Sequence, residues 1–382
     1  MRFVDQLKTT LRRFIWTILD RVPDEYRPGL RRVVGSSRTV VRSALRGQPA
    51  HRASRVVWLR PEVADLEPML TSAPSANEIL VEVDASLVSP GTERAFLLGL
   101  PNTSQSFPSG AGYAAAGKVL RVGRSVPDWG PGDRFAGVAP HASHAIVRPD
   151  QIARVPDEVP ERDAAFAQLG AIAMHGVRRA GIRPGEKVAV IGLGLIGQLS
   201  IQIARWAGGA PIVGMARSQA FFAQAMASGC DHVVSLDDDP DAPDATSADV
   251  VIEATGSPAA IPTAITAARD GGRVIIVGSP RGVTHGVDLG ATVAGRGITV
   301  VGAHVSGASR REPSAGVWSR REESELFLDL VAAGRIELEH LISETESPAE
   351  ANRVYERLVS SSDAPMGIVF DWTRVRQHEG TR

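Results

Sequence analysis

The sequence predicts an α/β fold, an open, doubly wound parallel sheet accompanied by a β-rich domain, and three observations predict it. The apolar β-type run 188–191 ends on Gly192-x-Gly194-x-x-Gly197, and a helical pattern follows directly through Gln198, Leu199, Ile201, Ala204 and Trp206. Further strand candidates follow at 211–215, 249–254 and 273–277. Ahead of them, short strand candidates separated by turn signals fill the region from residue 56 to residue 147.

The glycine run is the most informative of these, because strand, glycines and helix stand in the order that a Rossmann dinucleotide site needs. Gly192 permits a tight turn, Gly194 lets backbone amides approach a pyrophosphate, and Gly197 allows the helix to lie close on the sheet. With Leu193, Leu195 and Ile196 these residues would set the pyrophosphate on the positive end of the helix. The second strand runs into Ala216, Arg217 and Ser218, where a carboxylate would hold the ribose 2′-hydroxyl of NAD, and none is there. Ala216 leaves room, Arg217 offers a planar fork of donors and Ser218 adds a hydroxyl, which suits a 2′-phosphate, so NADP(H) is expected in preference to NAD(H). The third and fourth strands end at Thr255-Gly256 and Gly278-Ser279, loops that would line the crevice at the carboxyl ends of the sheet.

Composition bounds the rest. A chain of 382 residues suits two domains with sizeable cores, and a net charge of −1 provides no global field for nucleic acid. The one cysteine, Cys230, excludes an intrachain disulfide framework and any multi-cysteine zinc site, and reads as a small buried filler. No apolar stretch approaches the roughly twenty residues that span a bilayer. The first fifty residues differ, with 11 Lys and Arg against 4 Asp and Glu, a net charge of about +7. Val4, Leu7, Leu11, Phe14, Ile15 and Ile18 recur there at helical spacing among Lys8, Arg12 and Arg13. This segment, within residues 1–20, reads as a basic amphipathic helix docked on its own protein, on a partner or on an anionic membrane surface, or else as a disordered segment. Its apolar centre is too short for a secretory signal, so a cytoplasmic location is expected, and the Ser/Arg/Gly-rich segment 35–52 reads as a linker.

In chain order, strands are expected at 56–59, 78–87, 117–122 and 145–147, with turns at Ser89-Pro90-Gly91 and Pro131-Gly132-Asp133. A helical pattern covers 160–180, the nucleotide-binding strands follow, and after Gly302 come a polar stretch, a helix at 322–333 and a last strand at 367–370. The expected division is an N-terminal extension (1–50), a β-rich domain (51–175), a Rossmann domain (176–309) and a returning C-terminal segment (310–382).

Further motifs, Gly112-x(4)-Gly117-x-Val119, Val122-Gly123, Pro131-Gly132-Asp133-Arg134 and Ala164-Ala165, complete a pattern over about residues 54–372 that resembles the medium-chain dehydrogenase/reductase superfamily. The resemblance implies a GroES-like β-rich catalytic domain, completed by the C-terminal segment, beside an NAD(P)-binding Rossmann domain, with a small-molecule substrate in the cleft between them. Departures from the family matter as much. Where its zinc alcohol dehydrogenases carry a Cys-Gly-Thr/Ser-Asp segment, this chain has Pro90-Gly91-Thr92-Glu93. The Gly-His-Glu segment appears as Gly112-Tyr113-Ala114, and the third ligand falls near Ala171. Three missing ligands cannot assemble a tetrahedral zinc site, and His141, His144 and His175 lack the spacing to build another, so no catalytic metal is expected.

Something else must then polarise a carbonyl and trade a proton. Tyr113, at the vacated histidine position, is a candidate acid or else a filler of the emptied metal pocket. Thr92 and Glu93 match positions near the cofactor, with Arg94 able to neutralise Glu93 in a plain ion pair. His175 falls where the family keeps a small hydroxyl residue near the nicotinamide, and reads either as a proton relay through the ribose hydroxyls or as a helix histidine with its hydrogen bonds satisfied. The resemblance assigns the backbone of Val277, Ala303 and Val305 to the nicotinamide carboxamide, places His304 in the edge strand that pairs Rossmann domains into homodimers, and leaves Trp318 as a cap of the cleft or a core anchor. The phrases Ser89-Pro-Gly-Thr-Glu-Arg94, Leu169-Gly-Ala-Ile-Ala173 and Trp318-Ser-Arg-Arg321 are similar to a zinc-poor branch containing bacteriochlorophyllide, sugar, cyclitol and secondary-metabolite dehydrogenases. The expected activity is a zinc-independent, NADP(H)-preferring hydride transfer between nicotinamide and a secondary alcohol or ketone. The alternatives are an enoyl or quinone reductase acting on an activated C=C bond, and a non-catalytic nucleotide-binding sensor or scaffold.

Overall fold

A computed structural model of the chain describes Thr39 and residues 50–104, 106–305, 318–360 and 365–375. The basic helix expected within residues 1–20 lies outside the described residues. No described helix is long and apolar enough to cross a membrane.

The β-rich part opens with β1 (His51–Arg60) and β2 (Val63–Thr71), an antiparallel pair, so residues 51 and 52 belong to a strand rather than to the expected linker. Strand β3 (Ile79–Val88) follows, then helix α1 (Pro90–Leu97), where a turn was expected. Pro90 sets the helical φ at the first position, and the Glu93 carboxylate accepts the Ser89 N–H at 2.8 Å, so a Pro-Gly pair starts a helix here. Next come β4 (Ser109–Gly110), β5 (Ala115–Val122), β6 (Arg134–Gly137), β7 (His144–Val147) and β8 (Ile152–Arg154). Strand β2 lies at the edge of a three-stranded sheet, where Pro68 costs no ladder bond.

Helices α2 (Glu161–Ala164) and α3 (Ala167–Ala180) lead out of this part. Helix α3 is continuous across the expected boundary at 175/176, because its stop signal is Gly181, left-handed at φ +57°. Strand and helix then alternate: β9 (Val188–Ile191), α4 (Leu195–Trp206), β10 (Ile212–Ala216), α5 (Phe222–Ala227), β11 (His232–Ser235), α6 (Ala242–Thr246), β12 (Ala248–Glu253), α7 (Ala260–Ala267), β13 (Ala268–Ile276) and β14 (Thr299–Gly302). The sheet they build is parallel and runs β11-β10-β9-β12-β13-β14. Its direction of winding reverses between β9 and β12, the switch point at which open α/β sheets bind ligands. Alternate residues of β9 face opposite cores. Val188 and Val190 pack with Leu169, Leu199 and Ile203 on one side, and Ala189 and Ile191 with Ile261 and Ala264 on the other.

The chain returns through α8 (Arg320–Ala332), β15 (Glu344–Glu346), α9 (Ala351–Ser360) and β16 (Ile368–Asp371). Strand β16 pairs antiparallel with β3 (Ile368 opposite Val88), so the C-terminal segment completes the sheet begun by residues 79–88. Tyr355 and Trp372 enter that domain's core fully buried. Strand β14 ends at Gly302, so His304, expected within an edge strand, lies past its end.

Candidate active site

At the switch point, register aligns Ile191 with Met215 on one side and with Glu253 on the other, so the turns behind β9 and β12 meet. Gly192 is left-handed (φ +93°), and a Cβ added there would lie 2.6 Å from Thr255 Cγ2. Gly197 lies so close to the Gly192 carbonyl oxygen that no Cβ fits. Gly194 differs: it is exposed, a Cβ there would have nothing within 4 Å, and it caps α4 without a side-chain hydrogen bond. The first amides of α4, on Leu195 and Ile196, therefore have no capping oxygen and open onto space, a ready anion site. Leu193 and Leu195 are buried beneath the turn.

Behind β10, Ala216 is half-buried while Arg217 and Ser218 are exposed. Among the described residues no side-chain contact ties down the Arg217 guanidinium; the Arg217 carbonyl accepts from Ser235 Oγ at 3.3 Å. Behind β12, the fully buried Glu253 accepts the Thr255 N–H at 2.7 Å and the Thr255 hydroxyl, and fixes the turn against Gly192. Burial pushes the Glu253 carboxyl above the usual carboxylate range. Gly176 of α3 gives Val277 its place, since a Cβ on Gly176 would stand 2.5 Å from Val277 Cγ2. The amides of Val277 and Gly278 both bond the Glu253 carbonyl at 3.0 Å, and the Ala303 amide bonds the Ile276 carbonyl at 2.9 Å. Of Val277 and Ala303, then, only the carbonyls are left to face a carboxamide. The Val305 carbonyl lies 3.5 Å from Arg320 Nη2.

The proton-handling candidates gather on α1 and at the start of β5. Tyr113 is half-buried beside Ser89 and Thr92. Burial, the largest influence, and the Glu93 charge raise its phenol above the usual value, against the pull of hydrogen bonds with Ser89 and Thr92 and of the Arg281 cation. At neutral pH it is therefore a phenol, a hydrogen-bond donor. Gly112, at φ +78°, lets the chain pass over the His141 ring, which leaves no room for a Cβ.

Glu93 does not pair with Arg94. It turns inward, 1% exposed, while Arg94 is exposed, because the helical turn of α1 puts the two on different faces. Its Oε2 accepts from His141 Nε2 at 3.1 Å and from the Tyr355 hydroxyl. His141 Nδ1 pairs with Ser86 Oγ at 2.8 Å, and that oxygen accepts Trp372 Nε1–H at 2.8 Å. A buried polar chain thus joins α1, β3, α9 and the end of β16 beneath Thr92 and Tyr113. Glu93 is thus enclosed by His141 and Tyr355, away from solvent.

His175, on α3, is anchored through Nδ1 to the buried Glu323 of α8 at 2.9 Å. One turn along, the Arg178 guanidinium stacks 3.4 Å over the Trp318 ring, so Trp318 is held by a cation and remains half-buried. The cleft also contains residues that no sequence motif marked. Arg281, in the loop behind β13, reaches the catalytic domain, with Nη1 3.3 Å from the Asn102 carbonyl and the guanidinium 5.9 Å from the Phe96 ring. Asn102 Nδ2 returns a bond to the Pro280 carbonyl at 2.7 Å. No motif marks Tyr355 or Glu323 either, and the sequence offers His141 only as a metal-ligand candidate. Cys230 is a buried filler, its Sγ 2.9 Å from where a Gly214 Cβ would stand, and burial pushes its thiol up to about 12.

Comparison with known proteins adds a family and full-length relatives. The family described as zinc-binding dehydrogenase matches residues 196–320. The D-guloside 3-dehydrogenase of Escherichia coli (strain K12) is 25% identical over 350 residues, covering 83% of this chain and 99% of the relative. The 2-desacetyl-2-hydroxyethyl bacteriochlorophyllide A dehydrogenase of Cereibacter sphaeroides is 26% identical over 342 residues, covering 84% and 98%. A putative zinc-binding dehydrogenase from Sinorhizobium meliloti 1021, bound to NADP, superposes with a TM-score of 0.71 at 23% identity, covering 84% of this chain and 99% of the other.

The family description implies zinc, and the residues present do not fit it. Among the described residues no three His, Cys, Asp or Glu side chains come together. The fully buried histidine–carboxylate pair among the described residues, His141 and Glu93, has Ser86 and Tyr355 as its other partners.

Proposed function

The chain belongs to the medium-chain dehydrogenase/reductase superfamily, and from that premise we propose a zinc-independent enzyme that prefers NADP(H) and interconverts a secondary alcohol and a ketone. It is an NAD(P)-dependent alcohol oxidoreductase; the cofactor preference, the metal independence and the residue roles are the proposal. The observation that carries it is the meeting of a donor phenol, Tyr113, with the Thr92 hydroxyl and the Arg281 cation in the cleft, where a zinc enzyme would hold its metal.

Bound nicotinamide supplies or accepts the hydride. The chain's own residues do the rest. The uncapped amides at Gly194, Leu195 and Ile196 receive the pyrophosphate, and Arg217 and Ser218 receive the 2′-phosphate, for which Ala216 leaves room. The Sinorhizobium protein similar to this chain is bound to NADP, which supports the same choice here. The Val277 and Ala303 carbonyls accept from the carboxamide. Tyr113 donates to the substrate oxygen as negative charge builds there and exchanges the proton with Thr92. Glu93, fixed by His141 and Tyr355, holds α1 and with it Thr92 at the correct height. His175, oriented by Glu323, stands on the nicotinamide side as a second relay. The exposed apolar side chains Val283, Leu289 and Val300 cluster in sequence around edge strand β14, and a second copy would cover them in a homodimer.

Turnover of NADPH with panels of ketones and enones tests the reading. The expected result is oxidation triggered by ketones, with Tyr113→Phe lowering kcat by about 10²–10⁴ while NADPH binding is kept. Oxidation by enones alone, or full activity of Tyr113→Phe, refutes it.

A further inference from the structure

Burying a cation without a counter-charge is costly, and this chain avoids it almost everywhere in the Rossmann half. Arg205 faces Asp231, Arg269 faces Asp249 and Arg273 faces Glu186, each at ion-pair distance. Arg281 is half-buried, as Arg205 and Arg273 are, yet among the described residues no carboxylate lies at ion-pair distance from it. Its contacts are the neutral Asn102 carbonyl and the Phe96 ring. The loop that carries it is fixed, not loose: Asn102 Nδ2 bonds the Pro280 carbonyl, and the Arg281 amide bonds the Gly256 carbonyl at 3.0 Å. A fixed cation therefore stands at the carboxyl end of the nucleotide sheet, beside the phenol proposed to touch the reacting oxygen. Burial first, and then the Arg281 and Arg320 cations, hold the His304 imidazole below its usual value.

We propose that Arg281 anchors a negatively charged group on the substrate, a carboxylate or a phosphate, so that this enzyme acts on an anionic secondary alcohol or its ketone. The inference rests on the dehydrogenase reading above and deepens it. A planar guanidinium takes two oxygens of either group in parallel hydrogen bonds, which fixes the distance from anionic group to reacting carbon as well as adding affinity. The Asn102 carbonyl, a neutral acceptor at 3.3 Å, is a partner that such an anion displaces or shares.

The test uses the full chain loaded with NADPH, titrated with matched pairs while nicotinamide fluorescence is followed: gluconate against glucitol for a carboxylate, glucose 6-phosphate against glucose for a phosphate. The expected result is that the anionic member of at least one pair binds about tenfold or more tighter than its neutral mate, each tenfold corresponding to about 1.4 kcal/mol. The pair that discriminates identifies the group. Arg281→Gln brings the ratio to about one with NADPH affinity kept, and Arg281→Lys, which retains the charge but not the fork, restores part of it. Equal binding within both pairs, no binding by any of the four, or an unchanged ratio in Arg281→Gln overturns the proposal. Loss of NADPH affinity in Arg281→Gln also overturns it, assigning the arginine to the nucleotide. Failure of the unaltered chain to bind NADPH is a different result, which removes the dehydrogenase reading itself.

Discussion

Gly194→Ala separates binding from folding at the proposed pyrophosphate site. Gly194 has φ −76° and ψ −172°, ordinary values for any residue, and an added Cβ meets no atom within 4 Å. The fold therefore accommodates the methyl group. Alanine is a poorer N-cap than glycine by about 0.5–1 kcal/mol, and the lost freedom of the unfolded chain returns about as much, so the net change in stability is near zero. The ligand sees a different site, because the methyl group occupies the space through which a pyrophosphate reaches the Leu195 and Ile196 amides. Losing one or two charge-assisted hydrogen bonds, at about 1.5–3 kcal/mol each, weakens NADPH binding by roughly 10- to 10⁴-fold. Fluorescence titration with NADPH beside a thermal melt measures both quantities. The control is Gly197→Ala, where the Cβ runs into the Gly192 carbonyl and destabilises the fold by about 1–3 kcal/mol or more. An unchanged NADPH dissociation constant in Gly194→Ala refutes the placement of the pyrophosphate, and unfolding of that variant refutes the steric argument.

Other outcomes follow from the same contacts. Glu93→Ala leaves His141 and the Tyr355 hydroxyl buried without their shared acceptor and is expected to cost about 3–5 kcal/mol in urea unfolding, with Tyr355→Phe costing about 1–3; near-neutral values would show that the buried chain carries no stability. The Ile212 amide, and then Arg205, hold the Asp231 carboxyl below its usual range, and the Arg357 guanidinium does the same to Glu344. Depressed carboxyls contribute stability that is present above their unfolded values near 4 and lost as pH falls through their lower folded values, so melting temperature should drop below about pH 4. Glu253, raised by burial, works in the opposite direction, and a melting temperature flat from pH 6 to pH 3 would contradict the ion-pair account. With its thiol pushed up to about 12, Cys230 should resist alkylation in the folded protein at pH 8 and react on unfolding; rapid labelling of the native state would show that the pocket opens. If no metal serves the reaction, exhaustive chelation leaves turnover intact, whereas loss of activity restored by zinc would refute that part of the proposal.

The Rossmann half was legible because a parallel sheet buried on both faces leaves near-continuous apolar strands, and because each glycine of the turn answers to a different steric demand. The β-rich half hid more. Strand β2 contains a proline that only an edge tolerates, and α1 begins with Pro-Gly, a pair that also starts turns. Helix α9 carried a signal in the spacing of Ala351, Val354, Tyr355 and Leu358, outside the helices expected from the sequence. The candidate site was legible only where the chain is contiguous. Thr92 and Glu93 stand in one motif, but Glu93 takes partners 48 and 262 residues away, and nothing local marks His141 or Tyr355 as those partners. Arg281 was hidden for the same reason: its meaning comes from Asn102, Phe96 and Tyr113, which only the closed fold brings to it.

The central claim is tested most directly by titrating the purified chain with NADPH and NADH in parallel, following nicotinamide fluorescence, and repeating both with Arg217→Ala. The account predicts that NADPH binds at least about tenfold tighter than NADH, and that Arg217→Ala removes most of the difference by weakening NADPH alone. Equal affinities, or a preference for NADH, would contradict the 2′-phosphate assignment, and binding of neither nucleotide would contradict the dehydrogenase account as a whole.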